Sequence, residues 1–248
     1  MLLVHGSITN GTKALFYEAL HCSDAMTRVS NVFNSTFEEK FKINMEQSNF
    51  EKLCALTEGD YQAFLYDCDG TLADNMAAHT ESYLDAAKEH NVVFDPAIIN
   101  ELAGWPIANV VEEINSRYNS SLVPTAFKAR KAEIFAAKYL EKIQPVDYVV
   151  EHLKANAGKV RIAVVSGGDT DAIERTLEVL GIRDLVEVLV CAGDTERGKP
   201  FPDPFLRAAE LLGVAPDKCL VFEDGVPGVQ AAEAAGMHWV RVDLLEFG

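Results

Sequence analysis

From Ala63 onward, short apolar runs alternate with stretches in which apolar residues recur at three- and four-residue spacing. The runs are AFLYDC (63–68), VRIAVVS (160–166), VEVLVCA (186–192), CLVFED (219–224) and HWVRVD (238–243). Largely continuous apolarity predicts strands buried on both faces rather than one. Between them, DAIERTLEVLGI, FLRAAELLGV and VPGVQAAEAAGM carry the helical spacing and stop at Gly181, Gly213 and Gly236. Strand–helix–strand repetition predicts an α/β fold, a Rossmann-like doubly wound parallel sheet with helices on both faces.

One segment breaks this rhythm. About 90 residues separate the first two runs, far more than an ordinary crossover needs. Within it, AAHTESYLDAAKEHN, PAIINELAG, ANVVEEINSRYN and TAFKARKAEIFAAKYLEKI all have helical patterns, and no convincing strand is present. The expected organisation is a core over 61–75 and 145–248 and an inserted all-helical subdomain over 76–144. Linkers are expected near 73–76 and 143–147. Residues 1–60 form an N-terminal extension, partly helical through TKALFYEALH. Its role is left open between a helical appendage, a dimerisation element and a mobile arm.

Open parallel sheets bind ligands at the carboxyl ends of their strands. Here the first strand ends on Asp67 and Asp69, and the second on Ser166, Gly167 and Gly168. The loop after the third carries Lys199, and the fourth ends on Glu223 and Asp224. Each type has a use in phosphoryl chemistry. A carboxylate can take a phosphoryl group and divide one displacement into two. Asp69, two residues on, can protonate a leaving oxygen and then activate water. Thr71, Ser166, the turn at Gly167 and the Lys199 ammonium can hold phosphoryl oxygens. Several neighbouring acids are tolerable beside a hard cation, so Asp67, Asp69 and Asp224 read as a Mg²⁺ cage. GDTERGKP (193–200) nearly matches a phosphate-binding P-loop. Pro200 replaces the required hydroxyl residue, and Asp194 and Glu196 would repel a phosphate, so the match is coincidental.

The formal net charge of −16 excludes a nucleic-acid backbone binder and requires a local positive site for an anionic substrate. Five cysteines form no CxxC pair and suit a reducing compartment. The apolar part of the N-terminus is too short for a signal peptide, and no run is long enough to span a membrane. A cytoplasmic protein is expected, a monomer or weak dimer whose partner is a small phosphorylated metabolite.

The four ordered motifs, DCDGT (67–71), VVSGG with Ser166, GKPFPDPF with Lys199 and VFEDGVPGVQAAEAAGM with Glu223 and Asp224, resemble those of the haloacid dehalogenase superfamily. The resemblance runs from about Gln62 to the C-terminus. It implies an aspartyl-phosphate phosphatase with Asp67 as nucleophile and Asp69 as acid/base. Mg²⁺ would be held by Asp67, the Asp69 carbonyl and Asp224, with Glu223 in support. The insert then matches the family's helical cap. His79 has the offset of a residue that faces the active site in sugar-phosphate members, or is an ordinary helix residue. Gly104 and Pro106 mark the turn of the cap's specificity loop, where Trp105 either stacks on a sugar or packs between cap helices. Within the superfamily, the beta-phosphoglucomutase and fructose-1-phosphatase-like branch is most similar. The mutase pattern places Lys and Arg where this chain has Ala103 and Ile107, which favours a sugar or polyol phosphatase. The alternatives are a phosphoglucomutase-like isomerase and a non-catalytic scaffold.

Overall fold

The computed structural model describes residues 48–102 and 105–247. Asn49–Phe247 forms one compact unit. TKALFYEALH, Cys22, Ala103 and Gly104 lie outside the described residues. Helix α1 (Asn49–Leu56) leads into strand β1 (Ala63–Tyr66) and the short strand β2 (Ala73–Asp74). Helices α2 (Met76–Lys88), α3 (Ala97–Glu101), α4 (Ile107–Tyr118) and α5 (Pro124–Lys138) form the insert. They are followed by β3 (Gln144–Pro145) and α6 (Asp147–Asn156). The remainder alternates regularly through β4 (Arg161–Val165), α7 (Thr170–Val179), β5 (Val188–Val190), α8 (Asp203–Leu212), β6 (Cys219–Glu223), α9 (Val226–Ala234) and β7 (His238–Arg241).

The five long strands form one parallel sheet in the order β5-β4-β1-β6-β7. Both faces are covered, which accounts for the continuous apolar runs. Phe64, Tyr66, Ile162, Val164, Leu220 and Phe222 pack with Val149, Leu153, Ile173 and Leu177. Ala63, Leu65, Ala163, Val165, Cys219 and Val221 face Phe205, Ala208, Leu212, Ala231 and Ala232. Successive residues of β1 thus serve opposite faces, as the strand period requires. The chain runs outward from β1 through β4 to β5, then returns to the other side of β1 at β6. That reversal opens a crevice at the carboxyl ends of β1 and β6.

The insert has its own core, built from Tyr83, Phe94, Ile98, Val111, Ile114, Phe127 and Ile134. Its two linkers are not plain connectors. β2 and β3 pair antiparallel, with Ala73 opposite Pro145 and Asp74 opposite Gln144. Two-residue strands are too short for any periodicity to register, so this ribbon was invisible in the sequence. Residues 49–56, read from the sequence as part of the extension, lie against the core. Leu53 of α1 is fully buried in the cluster that includes Val149, Val150 and Leu153 of α6. Cys68, Cys191 and Cys219 are buried free thiols. Among the described residues, no helix is long and apolar enough to cross a membrane.

A buried hydrogen-bond chain ties α1 to β1. Thr57 Oγ1 donates to the Cys54 carbonyl at 3.0 Å, so it must accept from His152 Nε2 at 2.9 Å. His152 Nδ1 then accepts the Tyr66 hydroxyl at 2.9 Å. The ring is fully buried and flanked by Phe64 and Phe222. Burial holds its protonation down at about 4. An unfolded histidine titrates near 6.5, so between these values the unfolded chain binds the extra proton. Stability therefore rises with pH across this window. The contribution is complete above about 6.5 and is lost as pH falls toward 4, by about 3 kcal/mol. Denaturant unfolding from pH 7 to pH 4 should show this slope. A His152→Gln variant should lose about one proton of it, and an unchanged slope would rule out His152 as its source.

Candidate active site

Four strand ends converge on the crevice. Asp67 follows β1, Ser166 follows β4, Glu223 ends β6 and Asp224 follows it. Lys199 reaches in from the loop between β5 and α8. Its Nζ donates to Asp67 Oδ1 at 2.6 Å, Glu223 Oε1 at 2.6 Å and the Val165 carbonyl at 2.8 Å. All three donors of the ammonium are thereby used. Burial alone would lower the Lys199 pKa, but Asp67 and Glu223 outweigh it and raise it. Asp67 is buried too. Loss of solvation, reinforced by the charges of Glu223 and Asp224, pushes its carboxyl well above the usual range, against the pull of Lys199.

The acids crowd one another because glycines let them. Gly70 has φ +86°, and a Cβ there would collide with the Asp224 carboxylate. A Cβ on Gly228, in α9, would collide with Glu223. Oxygens of Asp67, Glu223 and Asp224 all lie within 4.8 Å of one another. Burial, then the Glu223 charge, pushes Asp224 up to about 6. Two buried carboxylates and the half-buried Asp224 thus face one ammonium, which leaves negative charge uncompensated. Hard oxygen donors with excess negative charge fit a divalent cation. The members are unequal, however. Glu223 gives Oε1 to Lys199 and Oε2 to the Gly225 amide at 3.1 Å. It serves chiefly as the counter-charge that holds Lys199, leaving Asp67 and Asp224 as the readier ligands.

Asp69 belongs to a second row. The Cys68 carbonyl accepts from the Leu72 and Ala73 amides, each at 2.9 Å, and this turn carries Asp69 to the insert side. Asn75 Nδ2 donates to Asp69 Oδ1 at 2.5 Å, and His79 Nε2 lies 3.3 Å from the same oxygen. Behind His79, Lys131 Nζ lies 2.7 Å from Nδ1. A protonated lysine can only donate, so Nδ1 accepts and the Nε2 hydrogen faces Asp69. Phe135 stacks on the His79 ring at 4.3 Å. Burial would raise Asp69, but His79, the Asn75 amide and Lys131 outweigh it and hold the carboxyl down at about 2. Burial lowers Lys131 itself to about 8.

The other expected site residues separate into two groups. Ser166 is buried at the β4 end, and its Oγ accepts from the Gly168 amide at 3.0 Å. Its hydroxyl hydrogen remains to be donated, beside Gly167 in the same turn. Thr71, by contrast, is fully buried and its hydroxyl donates to Asp224 Oδ1 at 3.3 Å, bracing that acid from behind. Trp105 is 52 % exposed, so it is not packed between the insert helices. Gly104 lies outside the described residues. Lys131 was missed in the sequence because KARKAEIF reads as an ordinary charged helix face. A lysine three residues from Ile134 on the inward stripe was the available signal.

A family model described as haloacid dehalogenase-like hydrolase matches residues 61–236. Among curated proteins, the fructose-1-phosphate phosphatase YqaB of Escherichia coli is 33% identical over 188 residues, covering 75% of this chain and 98% of that protein. The validoxylamine A 7'-phosphate phosphatase of Streptomyces hygroscopicus subsp. limoneus is 30% identical, covering 73% and 84%. The solved structure of CbbY from Rhodobacter sphaeroides in complex with phosphate shares the fold, with a TM-score of 0.65 at 22% identity, covering 72% and 84%. With the parallel sheet, the helical insert and the acidic crevice at the β1–β6 switch point, these matches place the chain in the haloacid dehalogenase-like hydrolase family.

Proposed function

We propose that this chain is a Mg²⁺-dependent phosphatase that hydrolyses a small phosphorylated sugar or polyol through an aspartyl-phosphate intermediate. The observation that carries the reading is the division of labour in YDCDGT. Asp67 is locked by Lys199 through one oxygen, and among the described residues nothing engages the other. Asp69 is held ionised on the insert side by His79, Asn75 and Lys131. The names of the relatives, a fructose-1-phosphate phosphatase and a validoxylamine A 7'-phosphate phosphatase, support a polyhydroxylated phosphate ester.

In this mechanism the free oxygen of Asp67 attacks phosphorus in line. Lys199 keeps the carboxylate oriented, and the Ser166 hydroxyl donates to a phosphoryl oxygen. A divalent cation held by Asp67 and Asp224 would neutralise phosphoryl charge. Asp69 transfers a proton at the leaving oxygen and later takes one from the attacking water. In the resting state it is ionised, so the acid half of the cycle requires a proton acquired with substrate. The His79 Nε2 hydrogen stands next to it. The mutase alternative has no cation to hold a second phosphate at position 107, because Ile107 packs against the insert's core.

The test is a phosphate-release screen over sugar and polyol monophosphates, run with Mg²⁺ and with a chelator. The expected result is release that requires the cation. Full activity in chelator would overturn the cation dependence. Isomerisation of beta-glucose 1-phosphate without phosphate release would favour the mutase.

A further inference from the structure

A lysine–aspartate pair joins the helical insert to the core beside the crevice. Lys128 Nζ on α5 donates to Asp169 Oδ1 at 2.8 Å. Asp169 is the residue that caps α7, directly after Ser166, Gly167 and Gly168. An aspartate at that position ordinarily accepts a hydrogen bond from the first-turn amides of its own helix, worth about 1 kcal/mol. Asp169 makes no such bond and turns outward to the insert instead. Lys128 and Lys131 are three residues apart on α5 and therefore share a face. Lys131 reaches toward His79 and Asp69, and the Asp169 charge acts on Lys131 as well. The Lys128–Asp169 pair thus neighbours the Lys131–His79–Asp69 row on the insert side of the crevice.

We propose that Asp169 is a specificity-determining residue that selects monophosphates with an uncharged far end. Any second anionic group on the substrate would need a cation on the insert side of the cleft. Lys131 is committed to His79, and Lys128 is neutralised by Asp169. Asp169 also sets its own negative charge where that second group would lie. A bisphosphate or phosphorylated acid must then displace a salt bridge and approach a carboxylate, whereas a neutral polyol end does neither. The pair is half exposed and weakly held. It therefore discriminates chiefly through charge and adds little to the stability of the fold. The inference rests on the phosphatase reading above.

The experiment compares kcat/KM for fructose 1,6-bisphosphate and fructose 1-phosphate in the full chain with Mg²⁺. Asp169→Lys should raise the bisphosphate-to-monophosphate ratio by about tenfold or more, and Asp169→Asn by about threefold, mainly through KM. Lys128→Met should lower the ratio, because the Asp169 charge is then unopposed. These differences should shrink at high salt. Ratios unmoved in all three variants, with monophosphate turnover retained, would overturn this inference and leave the phosphatase reading standing. A native chain that releases phosphate from neither ester nor from any other sugar phosphate would overturn both.

Discussion

An Asp67→Asn variant is expected to lose phosphate release by about 10⁴-fold or more while unfolding at or above the native temperature. The two outcomes have one cause. The amide oxygen of asparagine can still accept the Lys199 bond that Oδ1 accepts now, so the loop and the ammonium stay in place. The amide cannot attack phosphorus, so the first step is lost. Its neutrality also removes one of three crowded acids, and Asp67 is the one whose ionised form burial disfavours most plainly. Purified variant and native chain should be compared for phosphate release and for thermal unfolding without divalent cation. Retained turnover would sink the nucleophile assignment. Lost turnover with a clear drop in unfolding temperature would mean that Asp67 acts in packing, not chemistry.

Lys199→Met should be damaging in both respects. The ammonium bonds to two carboxylates and a strand carbonyl, and it lies 5.1 Å from the Phe205 ring centre. Methionine fills much of the same space but leaves the buried Asp67 and Glu223, with half-buried Asp224 beside them, without the ammonium. Breaking a buried pair in this way costs about 3–5 kcal/mol. Activity should fall by about 10²-fold or more, because Asp67 loses the bond that holds it oriented for attack. Adding Mg²⁺ should raise the melting temperature of the variant more than that of the native chain, because the cation replaces missing positive charge. A variant whose stability is indifferent to Mg²⁺ would argue against a cation site among these acids.

The strand ends were the legible part of this chain. Asp67, Ser166, Glu223 and Asp224 each follow an apolar run too continuous to be anything but a doubly covered strand, and Lys199 lies in the loop that follows another. A parallel sheet brings such ends together whatever the details of packing. What the sequence concealed lies on helices or depends on tertiary direction. Lys131 and Lys128 occupy one charged helix face, and only docking of α5 distinguishes the lysine that turns inward from its neighbours. Thr71 belongs to the DCDGT motif by position, yet its hydroxyl points back to Asp224 because the turn at Gly70 buries it. Asp169 has every local mark of a helix cap, and a contact from 41 residues away redirects it. His152 looked like one polar residue among many on α6, since nothing nearby in sequence announces that Tyr66 and Thr57 will meet it.

The paired linkers at β2 and β3 bring the two ends of the insert side by side, joined by backbone bonds that depend little on side-chain identity. The core therefore sees the helical segment as a plug-in module with a standard socket. A different module with equally close ends could be accepted by the same socket without disturbing the sheet. Asp67, Ser166 and Asp224 on the strand ends would keep their places through such an exchange, and only the partners that the module presents to Asp69 and Asp169 would change with it.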